Sequence, residues 1–156
     1  MTESVLGFGG IYLGTFVYCI IAGLVPFVVP AELVLIGLAA KLGAAPAALT
    51  AIVVLAASGQ MVAKIALFVG ARGAIDRASG KRKASIDKAR ARVEAWREKP
   101  LAILFASATF GLPPFYVVSL LAGAMKIRLR VFIILGTVGR LLRFAVVVAI
   151  PAYLSA

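Results

Sequence analysis

The chain has 156 residues, of which 63% are hydrophobic, with a formal net charge of +11 and a mean hydropathy of +1.07. This composition lies far from that of an ordinary soluble domain and favours one small integral membrane domain, residues 1–156. Histidine is absent and Cys19 is the single cysteine, so the commonest general base and metal ligand is missing and no internal disulfide can form. No nucleophile–base pair is visible either, and we expect no enzymatic activity, no metal and no cofactor.

Long apolar segments follow one another along the chain. Residues 4–31, 42–63 and 100–125 contain no charged side chain, and residues 131–154 contain only two. A membrane span needs about 20 apolar residues, so each segment is long enough. The first begins with MTES, which has no positive charge, and it is too long for a signal-peptide core. We therefore expect a retained membrane helix there, over residues 5–25.

Prolines interrupt two of these segments, at Pro26 and Pro30 and again at Pro113 and Pro114. Each proline removes a backbone donor and restricts the residue before it. A proline-kinked spanning helix is one interpretation, and a re-entrant hairpin that enters and leaves on one side is the other. Segment length favours the hairpin, because residues 30–41 give only about 18 Å of helix.

The sequence thus predicts an all-α integral membrane fold with three spanning helices, two opposed proline-broken re-entrant hairpins and a basic cytoplasmic amphipathic helix. Each half reads as a hairpin, a short loop and a spanning helix, which is the layout of an inverted repeat in transporters. The predicted bounds are 5–25, 46–70 and 131–154 for the spanning helices, 26–45 and 100–125 for the hairpins, and 72–99 for the basic linker helix.

Basic residues predict the orientation. Residues 72–99 carry a net positive charge, and Lys126, Arg128 and Arg130 add three more cations. Because basic loops stay in the cytoplasm, both ends of the second hairpin are expected there, in a bacterial-type cytoplasmic (inner) membrane. The first hairpin then opens to the outside.

The linker itself has two interpretations. Lys83, Arg90 and Trp96 lie in a helical stripe with basic flanks and an interfacial tryptophan, which is typical of a helix on an anionic membrane surface. The alternative is a solvated connecting helix whose charges only determine topology. Orientation accounts for the positive charge, so we expect no nucleic-acid partner.

Three ionisable side chains are predicted within the apolar segments: Glu32, Arg140 and Arg143. Charges at this depth are costly and often mark transport paths. Arg140 and Arg143 are neighbours on one helix face, and two arginines suit a phosphate head group. Glu32 would accept a proton or gate the arginines. The structural alternative is an ion pair between Glu32 and Arg140, with Arg143 reaching toward the outer interface.

Small residues recur at Ser58 and Gly59 and at Gly136 and Gly139, and glycines recur at helical spacing along one face of the first helix, at Gly7, Gly10 and Gly14. Small residues at such spacing commonly let membrane helices pack closely. We therefore expect this face to contact another helix, and a homo-oligomer is a further option.

The chain resembles the DedA or VTT-domain (SNARE-associated Golgi protein) family of membrane proteins. The resemblance covers about residues 20–150, and its motifs are PAELVLIGLAAKLG, FVGARGA, the basic linker, GLPPFYVVSLLAGAMKIRLRVF and GRLLRF. It implies two opposed re-entrant hairpins, and Glu32 matches the acid that follows the first-hairpin proline. Bacterial members are implicated in moving undecaprenyl phosphate across the inner membrane, and eukaryotic relatives scramble phospholipids. Larger relatives carry arginines beside the second-hairpin proline, where this chain has none, and Arg140 and Arg143 are the candidates to replace them.

The resulting hypothesis is a transporter or flippase of anionic lipids, with a polyprenyl (undecaprenyl) phosphate as the expected substrate and proton coupling as an option. Arg140 and Arg143 would bind the head group. The alternatives are a phospholipid scramblase, a small-solute or ion exporter, and a membrane scaffold that transports nothing.

Overall fold

The computed structural model describes residues 2–25, 30–42, 45–81, 83–84, 87 and 99–154, and these residues form helices and turns without a strand. The predicted all-helical class is therefore confirmed. The helices with full bounds are α1 (Thr2–Leu24), α2 (Ala31–Leu42), α3 (Pro46–Asp76), α4 (Pro100–Phe110), α5 (Phe115–Ala124) and α6 (Leu129–Leu154).

Two of the described helices are long and apolar enough to cross a membrane, by length and composition: α3, with 31 residues, and the 23-residue part of α6 over Leu129–Pro151. Large apolar side chains along α6 lie on the surface at four-residue spacing: Ile134, Val138, Leu142, Val146 and Ile150, each between 45% and 62% exposed. Extended apolar surface of this kind marks contact with a membrane or with another protein.

The predicted interruption at Pro113 and Pro114 is present. Helix α4 ends at Phe110, and the N–H of Gly111 donates to the Ser107 carbonyl at 2.9 Å with a left-handed φ of 79° at the glycine. The Ser107 hydroxyl donates to the carbonyl oxygen of Pro113, and α5 begins one residue after Pro114. Residues within the break thus provide hydrogen-bond partners for some of its backbone groups, as a break in an apolar environment requires.

Helix α2 has 12 residues and begins directly after Pro30, whose carbonyl accepts from the Leu33 N–H at 3.0 Å. Its length gives about 18 Å of helix, as the sequence predicted. Pro26, the other proline of the predicted first hairpin, lies outside the described residues.

Helix α3 extends to Asp76, beyond the predicted end at residue 70. A Cβ added at Gly70 or Gly73 would meet nothing within 4 Å, and the helical hydrogen bonding continues past both glycines, from the Arg77 N–H to the Gly73 carbonyl. Residues 72–76, predicted as the start of the linker, therefore belong to α3. The chain turns only afterwards, at Gly80, with a φ of 57°.

The chain divides into two compact units, and the division falls within α3 and α6. The first comprises Met1–Ala63 with Arg140–Ala156. Its core includes Leu35 of α2, Ile52 of α3 and Phe144 of α6, all fully buried, together with Cys19 of α1. Four helices thus contribute apolar side chains to one core.

The second unit comprises Lys64–Gly139. Its core holds three aromatic rings, with the centroid of Phe132 lying 4.7 Å from that of Phe68 and 6.0 Å from that of Phe115. These offset distances are favourable for aromatic pairs, and they join α3, α5 and α6.

Glycine allows α1 and α3 to approach closely, at Gly59, where the sequence predicted packing, and at Gly23, where it did not. A Cβ added at Gly59 would lie 2.5 Å from the Phe16 carbonyl oxygen, and one at Gly23 would lie 2.6 Å from the Ala63 Cβ. Gly10 and Gly14 would meet nothing within 4 Å. Among the described residues, the expected close packing is therefore present at Gly59 and not at Gly10 or Gly14, because spacing alone does not say which glycine faces a neighbour.

The Gly59→Ala variant should lose stability, by about 1–3 kcal/mol, because the new methyl group would overlap backbone atoms that cannot rotate away. Gly14→Ala is the matched control, and it should be neutral or slightly stabilising, since alanine favours the helix over glycine. Thermal unfolding of the detergent-solubilised proteins, followed by circular dichroism, measures both changes. Equal stability of the two variants would contradict the close approach.

Candidate functional site

An ion pair joins α2 to α6 in the first unit. The Nε of Arg143 donates to Oε1 of Glu32 at 2.7 Å, and the two side chains are 25% and 21% exposed. Both partners are ionised, and such hydrogen bonds are shorter and stronger than those between neutral groups. The pair therefore fixes the start of α2 against the last helix.

Local structure places the carboxylate. Glu32 is the second residue of α2, where the helix dipole is positive and favours an acidic side chain. Pro30 stands immediately before the helix and suits its start, because proline ends the preceding segment and lacks an N–H of its own. The motif PAE thus brings an acid to a helix N-terminus that lies among apolar residues.

Arg140 lies next to this pair. Its side chain is buried, at 7% exposure, and its Cζ lies 5.9 Å from the ring centroid of Phe144 on the following turn. It lies close enough to Glu32 and Arg143 to interact with both charges. We call Glu32, Arg140 and Arg143 the charged cluster; its formal charges sum to +1.

The structure thus brings together the three charged residues predicted from sequence, with one difference. The structural alternative drawn from the sequence paired Glu32 with Arg140 and placed Arg143 toward the outer membrane interface. In the structure, Arg143 makes the direct hydrogen bond to Glu32. Both arginines lie on one face of α6, so their separation along the helix, about 4.5 Å of rise, decides which one reaches the start of α2. The sequence alone therefore does not determine which arginine pairs with Glu32, because the position of α2 relative to α6 is needed.

Gln60 is a second polar side chain that the sequence analysis missed. It lies on α3, is 6% exposed, and its Oε1 accepts no hydrogen bond within the described ranges. A buried acceptor of this kind usually binds water or a ligand. Its position directly after the small-residue pair Ser58-Gly59, which suits close helix packing, was the available sequence signal.

Lys64 was also missed. In the second unit, it is 5% exposed, and its Nζ lies 5.8 Å from the ring centroid of Tyr116 on α5. The sequence indicates only that it lies near the inner end of a span. An aromatic ring stabilises a buried cation through its negative face. The sequence feature that could have indicated this residue is a lysine more than halfway along a 31-residue helix.

The remaining predicted residues are distributed as follows. Pro113 and Pro114 lie in the break between α4 and α5, and Pro30 precedes α2. Lys83 is exposed in a helical segment, whereas Arg90 and Trp96 lie outside the described residues, so the amphipathic linker stays a prediction. In the described part of the chain, no three acidic, cysteine or histidine side chains group as metal ligands would.

Comparison with known proteins identifies no relative of this chain. No protein-family model, no curated protein and no solved structure matches the chain. The chemistry of the charged cluster therefore carries the functional argument.

A double-mutant cycle should assign the ion pair to Arg143. Glu32→Gln with Arg143→Gln should give a coupling energy of about 1–3 kcal/mol, since the two residues share a charge-assisted hydrogen bond. Glu32→Gln with Arg140→Gln is the matched cycle and should couple more weakly. Chemical unfolding in detergent supplies the four stabilities of each cycle, and a stronger coupling to Arg140 would contradict the observed pairing.

Proposed function

We propose that this protein transports anionic lipids across a membrane and that the charged cluster binds the lipid phosphate. The observation that carries the proposal is the ion pair between Glu32 and Arg143 beside the buried Arg140. Two arginines and one acid leave one positive charge in an apolar unit, and a phosphate is the complement of that charge. The resemblance to the DedA or VTT-domain family points to a polyprenyl phosphate as the lipid.

A membrane location is supported by the two long apolar helices and by the exposed apolar side chains along α6. We propose that α1 is a third spanning helix, and that residues 26–45, which include α2, and residues 100–125, which include α4 and α5, are the two re-entrant hairpins. Helices of 10 to 12 residues reach only about half the thickness of a bilayer core, which supports this assignment. The basic residues around Lys126 favour the cytoplasmic side of an inner membrane for that end of α5.

The chain order of the helices supports an inverted repeat. Pro30 is followed by the short α2 and the long α3, and Pro114 is followed by the short α5 and the long α6. Transporters with this layout place their substrate site at broken helices near the middle of the membrane. The charged cluster, at the start of a short helix, fits such a site.

The ion pair suggests how binding is controlled. While Glu32 is ionised, it holds the Nε of Arg143 and reduces the positive charge available to an anion. Protonation of Glu32 weakens this hydrogen bond and allows Arg143 to turn to the phosphate together with Arg140. Two guanidinium groups then neutralise one phosphate, and the cluster with a neutral Glu32 has a charge of +2 before the anion binds.

A proton and a phosphate therefore favour each other's binding, because each stabilises the state in which Arg143 has left Glu32. Lipid uptake should become faster as the compartment that Glu32 faces becomes more acidic. Release follows when Glu32 loses its proton and recovers Arg143. Arg140 cannot lose its own proton in practice, so it keeps the site selective for anions throughout the cycle.

Translocation in proteoliposomes tests the proposal. Labelled polyprenyl phosphate and labelled phosphatidylcholine are followed in separate vesicles, over a series of pH values from neutral to acidic, for wild type and variants. Arg140→Gln should slow polyprenyl phosphate movement by at least about tenfold, the effect of losing a hydrogen bond to a charged group. Glu32→Gln should retain movement but lose its dependence on pH, because the amide cannot exchange a proton.

Lys41→Gln is the matched control, since it removes an exposed cation from the same short helix as Glu32 and should leave transport unchanged. Equal movement of both lipids would indicate a scramblase instead. Ion flux that requires Glu32, without any lipid movement, would indicate an exporter. If neither lipids nor ions move, the transport proposal fails and a scaffold role remains.

A further inference from the structure

The carboxamide of Gln60 is a buried polar group outside the charged cluster. Its side chain is 6% exposed on α3, and its Oε1 accepts no hydrogen bond from any described residue. An acceptor without a donor in an apolar core is costly, and buried acceptors are almost always bonded to protein or to water. This oxygen therefore requires a donor.

Contacts between α3 and α6 show which residue lies across from Gln60. The two helices share the core of the first unit through Ala56 and Phe144, both fully buried. In the second unit they meet through Phe68 and Phe132, whose ring centroids lie 4.7 Å apart. The second contact falls later along α3 and earlier along α6, so the two helices are antiparallel.

The antiparallel arrangement brings Gln60 and Arg140 to the same end of the first core. Gln60 is four residues after Ala56, and Arg140 is four residues before Phe144, so each lies about one helical turn beyond its core residue. Residues four apart share a helix face, and the side chains of Gln60 and Arg140 are both buried. The two side chains therefore face each other between α3 and α6.

Glycine contacts fix the backbone beside both side chains. A Cβ added at Gly59, directly before Gln60, would lie 2.5 Å from a backbone oxygen of α1, and one at Gly139, directly before Arg140, would lie 2.6 Å from a side-chain carbon of α4. A shift of α3 or α6 that exposed either polar side chain would break such a contact. Gln60 and Arg140 therefore stay inside the protein, where a polar ligand has to reach them.

Charge and space select the ligand. The Gln60 oxygen disfavours an anion, and the net charge of +1 on the charged cluster disfavours a cation. Helix α1 also packs closely here, since a Cβ at Gly23 would lie 3.5 Å from the Gln60 Cα. Water is neutral and small, and it can donate to an amide oxygen while it accepts from an N–H group. A guanidinium has five N–H donors, so Arg140 can bind a water and keep its other interactions.

We propose that Gln60 and Arg140 hold an internal water molecule between α3 and α6. The water donates to Oε1 of Gln60 and accepts from the Arg140 guanidinium, and Gln60 is a positioning residue that acts on Arg140 through this water. Hydration lowers the cost of keeping an arginine among apolar helices. The site is occupied without a bound lipid, so it does not depend on the proposed transport.

Nuclear magnetic resonance can detect this water at a single label. Gln60 is the only glutamine, and the chain contains no asparagine, so a protein labelled with ¹⁵N-glutamine has one side-chain amide signal. Proton-detected solid-state spectra in deuterated phosphatidylcholine bilayers measure magnetisation transfer from water to this amide. A paramagnetic agent in the bulk solution suppresses the signal of surface water. We expect a water cross peak that survives the agent, and its absence in wild type would overturn the water site.

Arg140→Met tests the second partner of the water. The substitution keeps a long side chain without N–H donors, and it should abolish the protected cross peak. Arg143→Met, on the same helix face, is the matched control and should retain the cross peak, because Arg143 donates to Glu32. A cross peak that persists in Arg140→Met would overturn the assignment of Arg140 as the partner.

Thermal unfolding in detergent distinguishes a bound water from an acceptor without a donor. If Oε1 bonded nothing, Gln60→Leu would raise the unfolding midpoint, because leucine has a similar size and no polar atom. Loss of a water shared with Arg140 should instead lower the midpoint in the wild-type background and no longer lower it in Arg140→Met. Val62→Leu, at an exposed position of the same helix, is the control and should leave the midpoint unchanged. A higher midpoint for Gln60→Leu in the wild-type background would contradict the proposal.

Discussion

A charged side chain among apolar helices is costly unless it is paired, and the hydrogen bond from Arg143 to Glu32 meets this constraint for two of them. It also explains the local architecture. The acid must lie at a helix start, where the backbone dipole favours it, and the proline before α2 provides that start. The bond then ties a 12-residue helix to the longest helix of the C-terminal half. Without the pair, α2 would rely on its apolar contacts alone, through Leu35 and Ala39.

The same constraint applies to the backbone where α4 ends. Opening a helix within an apolar layer leaves donors and acceptors without partners. Gly111 turns through a left-handed conformation so that its N–H returns to Ser107, and the Ser107 hydroxyl serves the carbonyl of Pro113. Glycine, serine and two prolines thus make a break in which these polar groups form hydrogen bonds with residues of the break itself. The start of α2 uses an ion pair and the break between α4 and α5 uses neutral hydrogen bonds. Both arrangements give polar groups among apolar residues a partner.

Much of this could be read from the sequence. Charge-free runs and prolines predicted the helical class, the short α2 and the break at Pro113 and Pro114, because hydropathy and the missing proline N–H act locally. The membership of the charged cluster was also predictable, since charges in apolar runs are few. Its internal pairing was not, because Arg140 and Arg143 share a helix face and only the position of α2 selects between them.

Burial of individual polar side chains was likewise beyond the sequence. Lys64 and Gln60 are buried by neighbours that lie far away along the chain, and neither residue type signals burial by itself. The extension of α3 through Arg72 to Asp76 runs through Gly70 and Gly73, so neither hydropathy nor helix propensity predicts it. Among the glycines, only three-dimensional packing distinguishes Gly59, where an added Cβ would collide with α1, from Gly14, where it would meet no atom of the described residues within 4 Å.

The central claim is that the charged cluster holds a lipid phosphate through Arg140. Solid-state NMR tests it most directly, by measuring dipolar recoupling between ¹³C-labelled arginine Cζ and the lipid phosphorus in polyprenyl phosphate bilayers. The account predicts a recoupled arginine signal in wild type, within reach of a direct guanidinium–phosphate hydrogen bond, and its loss in Arg140→Lys, with the other arginine signals unchanged. An unaltered spectrum in that variant would contradict the account and leave the cluster as a purely structural ion pair.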